Sequence, residues 1–348
     1  MQESQPSAAE QIGSLRNSRV AIPIEGRTDP LVYLAGEIEA AQLDELKSIA
    51  PNVQIISGLS RQTALQHSAE AHGIDVRVLS PELLESAPNL VWVQALSAGV
   101  DRYITIKPLV ENDRIVLTNM RPVHGPAIAD HAMAMLLQIT RNLRFYGEQQ
   151  KLGKWSEDET PWPSTALADR TMLIVGLGGI GTELAQRAHA FGMTIIAIRR
   201  TDSPSPEFVK HVGKPDELLA MLPEADVVAV CVPLTADTKG MLNDAAFKAM
   251  KPGAVLINIS RGQVVDTDAL LAALNDGRLA GACLDVTDPE PLPPDHPLWN
   301  LPNVIITPHV AADAPVTDER RWALLRENMR RFSAGEPLLN VVDKQAGY

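Results

Sequence analysis

Cysteine is nearly absent from this chain: there are two in 348 residues, Cys231 and Cys283, each inside an apolar, strand-like run. That excludes a disulfide framework and leaves two buried, reduced thiols as the expectation. No apolar stretch approaches the ~18 residues of a bilayer-spanning helix, so no membrane partner is expected. Positive charge is in deficit, with 31 Lys and Arg against 43 Asp and Glu, a net charge of -12. A surface for nucleic acid or anionic lipid is excluded on that ground. The first seventeen residues lack the basic-then-apolar order of a signal peptide. They read as a flexible leader or as what remains after processing. No metal site is expected.

The length points to two domains, and a composition of 45 % hydrophobic and 21 % charged residues is that of an ordinary globular chain. From Arg19 onward, short apolar runs alternate with helical segments. Strands are expected at 31–35, 53–56, 76–79, 90–96 and 115–118, with helices at 37–49, 61–71 and 81–87, giving a small parallel α/β layer. Residues 97–101 read Ser-Ala-Gly-Val-Asp at the carboxyl end of a strand. Small side chains there let backbone amides approach a ligand, and a carboxylate suits them. The loop at 119–126 marks the first domain boundary. One long helix is expected at 127–150, with an apolar face of Ile128, Ala132, Met135, Leu136, Ile139 and Leu143. An irregular loop at 151–167 carries Trp155 and Trp162, which pack against either a partner subunit or their own chain.

Residues 171–200 read TMLIVGLGGIGTELAQRAHAFGMTIIAIRR. An apolar run ends in Gly176-Leu177-Gly178-Gly179-Ile180-Gly181, a helix-period segment comes next, and a second apolar run closes a βαβ unit. In such a unit the first glycine makes the tight turn and the second admits a pyrophosphate. Gly181 brings helix and strand together, and the helix N-terminus attracts the phosphates. Further strands are expected at 226–232, 254–259, 281–286 and 304–307, making six in this block, with helices at 216–222, 244–250 and 267–275. A proline-rich loop spans 289–302. A basic amphipathic helix at 317–334 is expected to return to the first domain. The layout is therefore 1–119, then a dinucleotide-binding domain at 120–312, then a C-terminal helical segment at 313–348.

The polar residues of the second block lie at strand carboxyl ends, where open α/β sheets bind ligands. Asn258-Ile259-Ser260-Arg261, Asp285 with the later Glu290, and Thr307-Pro308-His309 bring an arginine, carboxylates and a histidine to three adjacent strand ends. Together with SAGVD (97–101), VGLGGIG (175–181), CVPLTADTKGMLN (231–243), INISRGQVVD (257–266), LDVTDPEPLP (284–293) and NVIITPHVAA (303–312), the chain resembles the D-isomer-specific 2-hydroxyacid dehydrogenases over about residues 80–312. The glyoxylate/hydroxypyruvate reductases are the members that it is most similar to.

The resemblance implies two Rossmann-like parallel-sheet domains, a flavodoxin-like substrate domain and a dinucleotide-binding domain. It implies Arg261, Glu290 and His309 as catalytic residues. The backbone of Ala98, Gly99 and Val100, with Arg261, would hold the carboxylate of a small 2-keto or 2-hydroxy acid. Cofactor contacts are implied for Gly176, Gly178, Gly179, Ile180, Gly181, Cys231, Pro233, Thr238, Ile259, Ser260, Asp285 and Ala311, with Asp285 near the nicotinamide amide. These residue types suit the reaction. A histidine can donate a proton, a carboxylate beside it favours the charged ring, and a planar guanidinium grips carboxylate and keto oxygen together.

Two departures from the family pattern matter. At the ribose-reading position, eighteen residues after Gly181, stands Arg199, followed by Arg200, where an acid would select NAD. NADP(H) is therefore expected over NAD(H). At the start of the long helix, Asp130-His131 replaces the usual Glu-His, a conservative change expected to be structural. A homodimer and a cytoplasmic location are also expected. A rival reading with the same fold is a dinucleotide-sensing binding protein of the corepressor type.

Overall fold

The computed structural model describes residues 29–347 apart from 122, 157 and 158, so the polar leader lies outside the described residues. The chain divides into two compact units, Met1–Val123 with Ala314–Tyr348, and His124–Asp313.

In the first unit, β1 (Leu31–Leu34), β2 (Val53–Ile56), β3 (Gly73–Asp75), β4 (Trp92–Gln94) and β5 (Val116–Thr118) form one sheet. The order is β2-β1-β3-β4-β5 and all pairs are parallel, the flavodoxin-like arrangement. Parallel neighbours need crossovers, supplied here by α1 (Ala40–Ile49), α2 (Arg61–Ala64), α3 (Pro81–Ser86) and α4 (Lys107–Val110). Alternate strand residues feed two cores: Val32, Leu34, Ile74 and Val93 on one face, Leu31, Tyr33, Trp92 and Val116 on the other. Two expectations need correction. Val76 to Leu79 is not a strand; the strand is β3, and the apolar residues after it are a buried turn tied by the Asp75 carboxylate, which accepts from Gly36 N at 3.2 Å and Arg77 N at 2.8 Å. The helix at 61–71 is one α-turn followed by a 3₁₀ segment, Leu65–Glu70.

The second unit begins with α5 (Gly125–Thr140) and α6 (Leu143–Lys151). These are two helices rather than one. Asn142 takes φ 54°, and its amide donates to Trp162 O at 2.9 Å and Ser164 Oγ at 3.2 Å, so the chain turns there. The apolar face of α5 is already buried within this unit, through Ile128, Ala132, Met135, Leu136 and Ile139. Leu143 stays exposed. Of the loop's two tryptophans, Trp162 donates its indole N–H to Ile139 O at 2.8 Å, whereas Trp155 is 90 % exposed.

The sheet of this unit comprises β6 (Thr171–Val175), β7 (Thr194–Ile198), β8 (Val209–Gly213), β9 (Val227–Val230), β10 (Ala254–Asn258), β11 (Leu279–Leu284) and β12 (Val304–Ile306). It has seven strands rather than six. The strand not foreseen, β8, is an edge strand whose Lys210 and His211 face solvent, so it lacks the apolar run that marks the others. The order is β12-β11-β10-β9-β6-β7-β8, a dinucleotide-binding sheet with one strand added, and it reverses between β6 and β9. The helices are α7 (Gly179–Ala190), α8 (Leu218–Met221), α9 (Asp244–Ala249) and α10 (Thr267–Asn275). No helix of the described residues is long and apolar enough to cross a membrane.

The last helix, α11 (Pro315–Ala334), belongs to the first unit. Its Phe332 ring lies 5.0 Å from that of Trp92, and Tyr33 lies 5.1 Å from Trp92. A buried polar chain fastens this helix. Trp92 Nε1 donates to Thr118 Oγ1 at 2.9 Å, Thr118 donates to Gln94 Oε1 at 2.9 Å, and Asn328 Nδ2 reaches both Gln94 Oε1 and Leu339 O at 3.2 Å. Leu339 N in turn donates to Asn328 Oδ1 at 2.8 Å. Asn328→Ala leaves those buried groups unpaired and should lower unfolding stability by about 1–3 kcal/mol in urea titration. A loss within error of zero would mean that this buried polar chain does not help to hold the helix.

Candidate active site

The second unit brings its polar residues together at the carboxyl ends of β10, β11 and β12, which are consecutive parallel neighbours. At the end of β10, Asn258 is buried and organises the turn after it. Its Oδ1 accepts from Ser260 N at 3.1 Å and Ser260 Oγ at 2.9 Å, while Nδ2 donates to Arg261 O at 3.0 Å. Ile259 and Ser260 are buried and Arg261 is half-buried, with Nη1 donating to Ser260 O at 2.7 Å. Gly262 is forced by close approach, since a Cβ there would lie 1.9 Å from Thr287 O. The loops after β10 and β11 therefore touch backbone to backbone.

At the end of β11, Asp285 is buried and spends both oxygens on the turn after β12. Oδ1 accepts from Thr307 Oγ1 at 2.6 Å and Val310 N at 3.0 Å, and Oδ2 from Ala311 N at 3.1 Å. His309 N donates to Asp285 O at 2.8 Å. From α5, His131 Nε2 meets Thr307 Oγ1 at 2.9 Å. Within this turn His309 adopts φ 58°, and its Nδ1 lies 2.7 Å from Glu290 Oε1. A carboxylate only accepts, so Nδ1 carries the hydrogen and Nε2 is the nitrogen left for chemistry. The histidine and glutamate side chains remain 46 % and 42 % exposed. Arg261 follows β10 and His309 follows β12, strands whose axes lie about 10 Å apart at ordinary strand spacing.

The glycine loop lies at the reversal between β6 and β9. Gly176 has φ 107°, and a Cβ on Gly181 would meet Gly176 O at 2.2 Å, so turn and helix close tightly. A Cβ on Gly178, by contrast, would meet nothing within 4 Å. Gly178 and Gly179 are exposed at the N-terminus of α7, whose first turn carries no acid, with Ile180 half-buried behind them. Open space over bare amides at a helix N-terminus fits a pyrophosphate. Across the reversal, Cys231 and Pro233 come after β9, and Thr238 ties that loop by donating to Pro233 O at 2.6 Å.

Arg199, at the end of β7, wraps the loop after it. Nε donates to Thr201 O at 3.1 Å, Nη1 to Pro204 O at 3.2 Å, and Nη2 to Ser203 O. Arg200 is exposed beside it. Lys214 pairs with Asp202 and holds its carboxyl below the usual range. The local charge is thus net positive.

Ala98, Gly99 and Val100 belong to the first unit, on the turn after β4. Their backbone amides donate to no group among the described residues. Such a row of unused donors suits an anion.

Residues 133–311 match the D-isomer specific 2-hydroxyacid dehydrogenase, NAD binding domain family. The chain belongs to the D-isomer-specific 2-hydroxyacid dehydrogenases. It is thus an NAD(P)-dependent oxidoreductase. The dehydrogenase is 38 % identical over 269 residues to a glyoxylate reductase of Thermococcus litoralis, covering 76 % of this chain and 80 % of the relative. It is 34 % identical to glyoxylate/hydroxypyruvate reductase B of Klebsiella pneumoniae, covering 84 % and 92 %. Among solved structures, an enzyme of this family from Xanthobacter autotrophicus in complex with NADPH and MES superposes with a TM-score of 0.78 at 29 % identity, over 92 % of this chain and all of the other. The NADPH-dependent glyoxylate/hydroxypyruvate reductase of Sinorhizobium meliloti, in complex with NADP and sulfate, gives 0.75 at 29 %, with the same coverage.

Three residues of the dehydrogenase's site carried no role in the sequence reading: Asn258, His131 and Thr307. Asn258 had a signal, an asparagine closing a buried strand just before the arginine turn. The His131–Thr307 contact joins positions 176 residues apart and had none. The two cysteines are free thiols; burial pushes Cys231 up to about 12 and Cys283 higher still. Cys283 is buried and Cys231, contrary to expectation, only half-buried, so a disulfide reagent should label Cys283 only after denaturation; rapid native labelling of Cys283 would contradict its burial.

Proposed function

We propose that the dehydrogenase reduces a small 2-keto acid of the glyoxylate or hydroxypyruvate type to the D-2-hydroxy acid, or runs the reverse oxidation, with NADP(H) preferred over NAD(H). The observation that carries this reading is the 2.7 Å contact between His309 Nδ1 and Glu290 Oε1, on a turn fixed by Asp285. Relatives named glyoxylate reductase and glyoxylate/hydroxypyruvate reductase support it. The cytoplasm, where nicotinamide reductases draw on the dinucleotide pool, is part of the proposal.

When bound, the dinucleotide supplies the hydride. The residues of this chain do the rest. His309 holds its transferable proton at Nε2 and gives it to the oxygen that becomes the alkoxide. Glu290, facing Nδ1, stabilises the imidazolium and fixes the ring plane. In the second unit Arg261 offers a planar fork for carboxylate and keto oxygen, and in the first the amides of Ala98, Gly99 and Val100 suit a carboxylate. Gly178, Gly179 and Ile180 would hold the pyrophosphate, and Pro233, Thr238 and Ala311 would contact the rest of the dinucleotide.

Reduction needs the charged ring and oxidation the neutral one. Glu290→Gln keeps an acceptor for Nδ1–H but removes the charge that steadies the imidazolium, so it should lower kcat for reduction, with NADPH affinity within about twofold of wild type. His309→Gln should lower kcat by roughly 10²–10⁴ at every pH. A Glu290→Gln enzyme with wild-type kcat would remove Glu290 from this role, and a nearly active His309→Gln would remove the histidine.

Cofactor choice rests on the positive loop at Arg199 and Arg200. Arg199→Asp should raise KM for NADPH about tenfold or more relative to NADH, a charge-assisted contact contributing roughly 1.5–3 kcal/mol. A wild type that already favours NADH overturns the NADP assignment.

We also propose a homodimer. The surface that supports it is not α5, whose apolar face is covered by its own unit, but α6 and the loop after it. None of the nine residues of α6 is buried, and Leu143, Tyr146, Leu152 and Trp155 stand exposed. Sedimentation should give twice the 37.7 kDa of the chain, and Leu152→Asp should shift it toward monomer. A monomeric wild type at micromolar concentration excludes the dimer.

A further inference from the structure

The turn after β4 is gripped from behind. Asn119 Nδ2 donates to Ala98 O at 2.8 Å, and Ser97 Oγ donates to Gly99 O at 2.7 Å. A trans peptide is planar, with its N–H pointing opposite to its C=O. Holding Ala98 O therefore aims the Gly99 amide away from Asn119, and holding Gly99 O aims the Val100 amide away from the Ser97 hydroxyl. The two side chains that take the carbonyls thus decide where the two amides look.

Asn119 is itself fixed by the C-terminal segment. It is buried, its N donates to Asn340 O at 3.1 Å, and its O accepts from Asn340 Nδ2 at 3.4 Å. Asn340 takes φ 56°, a left-handed conformation that asparagine tolerates, and its amide also reaches Arg121 O. The segment is strapped along β5: Thr118 bridges Val341 antiparallel, and Val342 N donates to Leu117 O at 2.8 Å. Beyond it, the Lys344 ammonium sits on the carbonyls of Leu109, Asn112 and Ile115 at 3.0, 2.7 and 3.0 Å.

We propose that Ser97 and Asn119 are positioning residues that aim the Gly99 and Val100 amides at the substrate carboxylate, and that Asn340 of the C-terminal strap holds Asn119 for that task. The inference rests on the reading that this turn binds the carboxylate. Neither side chain needs to touch substrate, since their effect passes through the peptide planes. The strap therefore belongs to substrate recognition, although it lies more than two hundred positions later in the chain.

Oxamate, a keto-acid analogue that cannot accept a hydride, is the probe. Ser97→Ala and Asn119→Ala should each raise its inhibition constant about three- to tenfold, and Asn340→Gly, which keeps the left-handed backbone, should shift it in the same direction. The keto-acid KM should rise more than kcat falls. NADPH affinity, read by fluorescence, should stay within twofold of wild type. Ser97→Thr keeps the hydroxyl and should bind oxamate as wild type does. Gly99→Pro deletes one amide outright and tests the turn itself. If Gly99→Pro weakens oxamate while folded Ser97→Ala and Asn119→Ala stay within twofold of wild type, the positioning inference is overturned and the carboxylate reading stands. If Gly99→Pro binds oxamate normally, that reading fails first. Should Asn119→Ala not fold, Ser97→Ala alone decides.

Discussion

A buried carboxylate must have its oxygens satisfied, and Asp285 meets that demand with the hydroxyl of Thr307 and the amides of Val310 and Ala311. Satisfying it dictates the path of the chain after β12, including the left-handed backbone at His309. The histidine–glutamate pair above it is nearly half exposed, and exposed ion pairs contribute little energy of their own. Such a pair cannot fix its own geometry. The buried acid beneath does so, and Asn258 plays the same part for the arginine turn. The two loops lean on each other where Gly262 meets Thr287.

Much of this was legible in the sequence because strand ends and glycine turns are local. Gly176 to Gly181, the SRG turn and the TPH turn each come directly after an apolar run, and the structure places each at a strand's carboxyl end. The features that were not legible are set by distant neighbours or by edges. β8 has solvent on one side, so its residues do not form an apolar run. The break at Asn142 depends on Trp162 and Ser164, twenty residues further on. Val76, Val78 and Leu79 are apolar because they are buried, and a buried turn has the same composition as a buried strand. Asp285 could be placed at a strand's carboxyl end, but its hold on the histidine turn appears only when three strand ends are side by side.

Arg199 shows how charge and shape separate. Its position in the sequence predicted a positive pole at the ribose. In the folded chain its guanidinium is surrounded by the carbonyls of Thr201, Ser203 and Pro204, so the same cation also gives the loop its form. Asp202, the acid nearest the usual position, is neutralised by Lys214. The loop therefore keeps its positive sign without a free acid to oppose it.

The first unit is interrupted by the second, and its apolar face containing Tyr33, Trp92 and Val116 is covered partly by Leu46 and Ala50 and partly by Met329, Phe332 and Leu338. On the ribosome that face is made early and its cover is completed last. All of residues 124–313 must be translated in between, roughly 10–40 s at ordinary elongation rates. During that interval the second unit has everything it needs to fold, while the first is a sheet with one side only partly covered. The nascent chain is thus most vulnerable to aggregation at its amino-terminal half, and a chaperone that shields that half until the last helix emerges would raise the yield of folded enzyme.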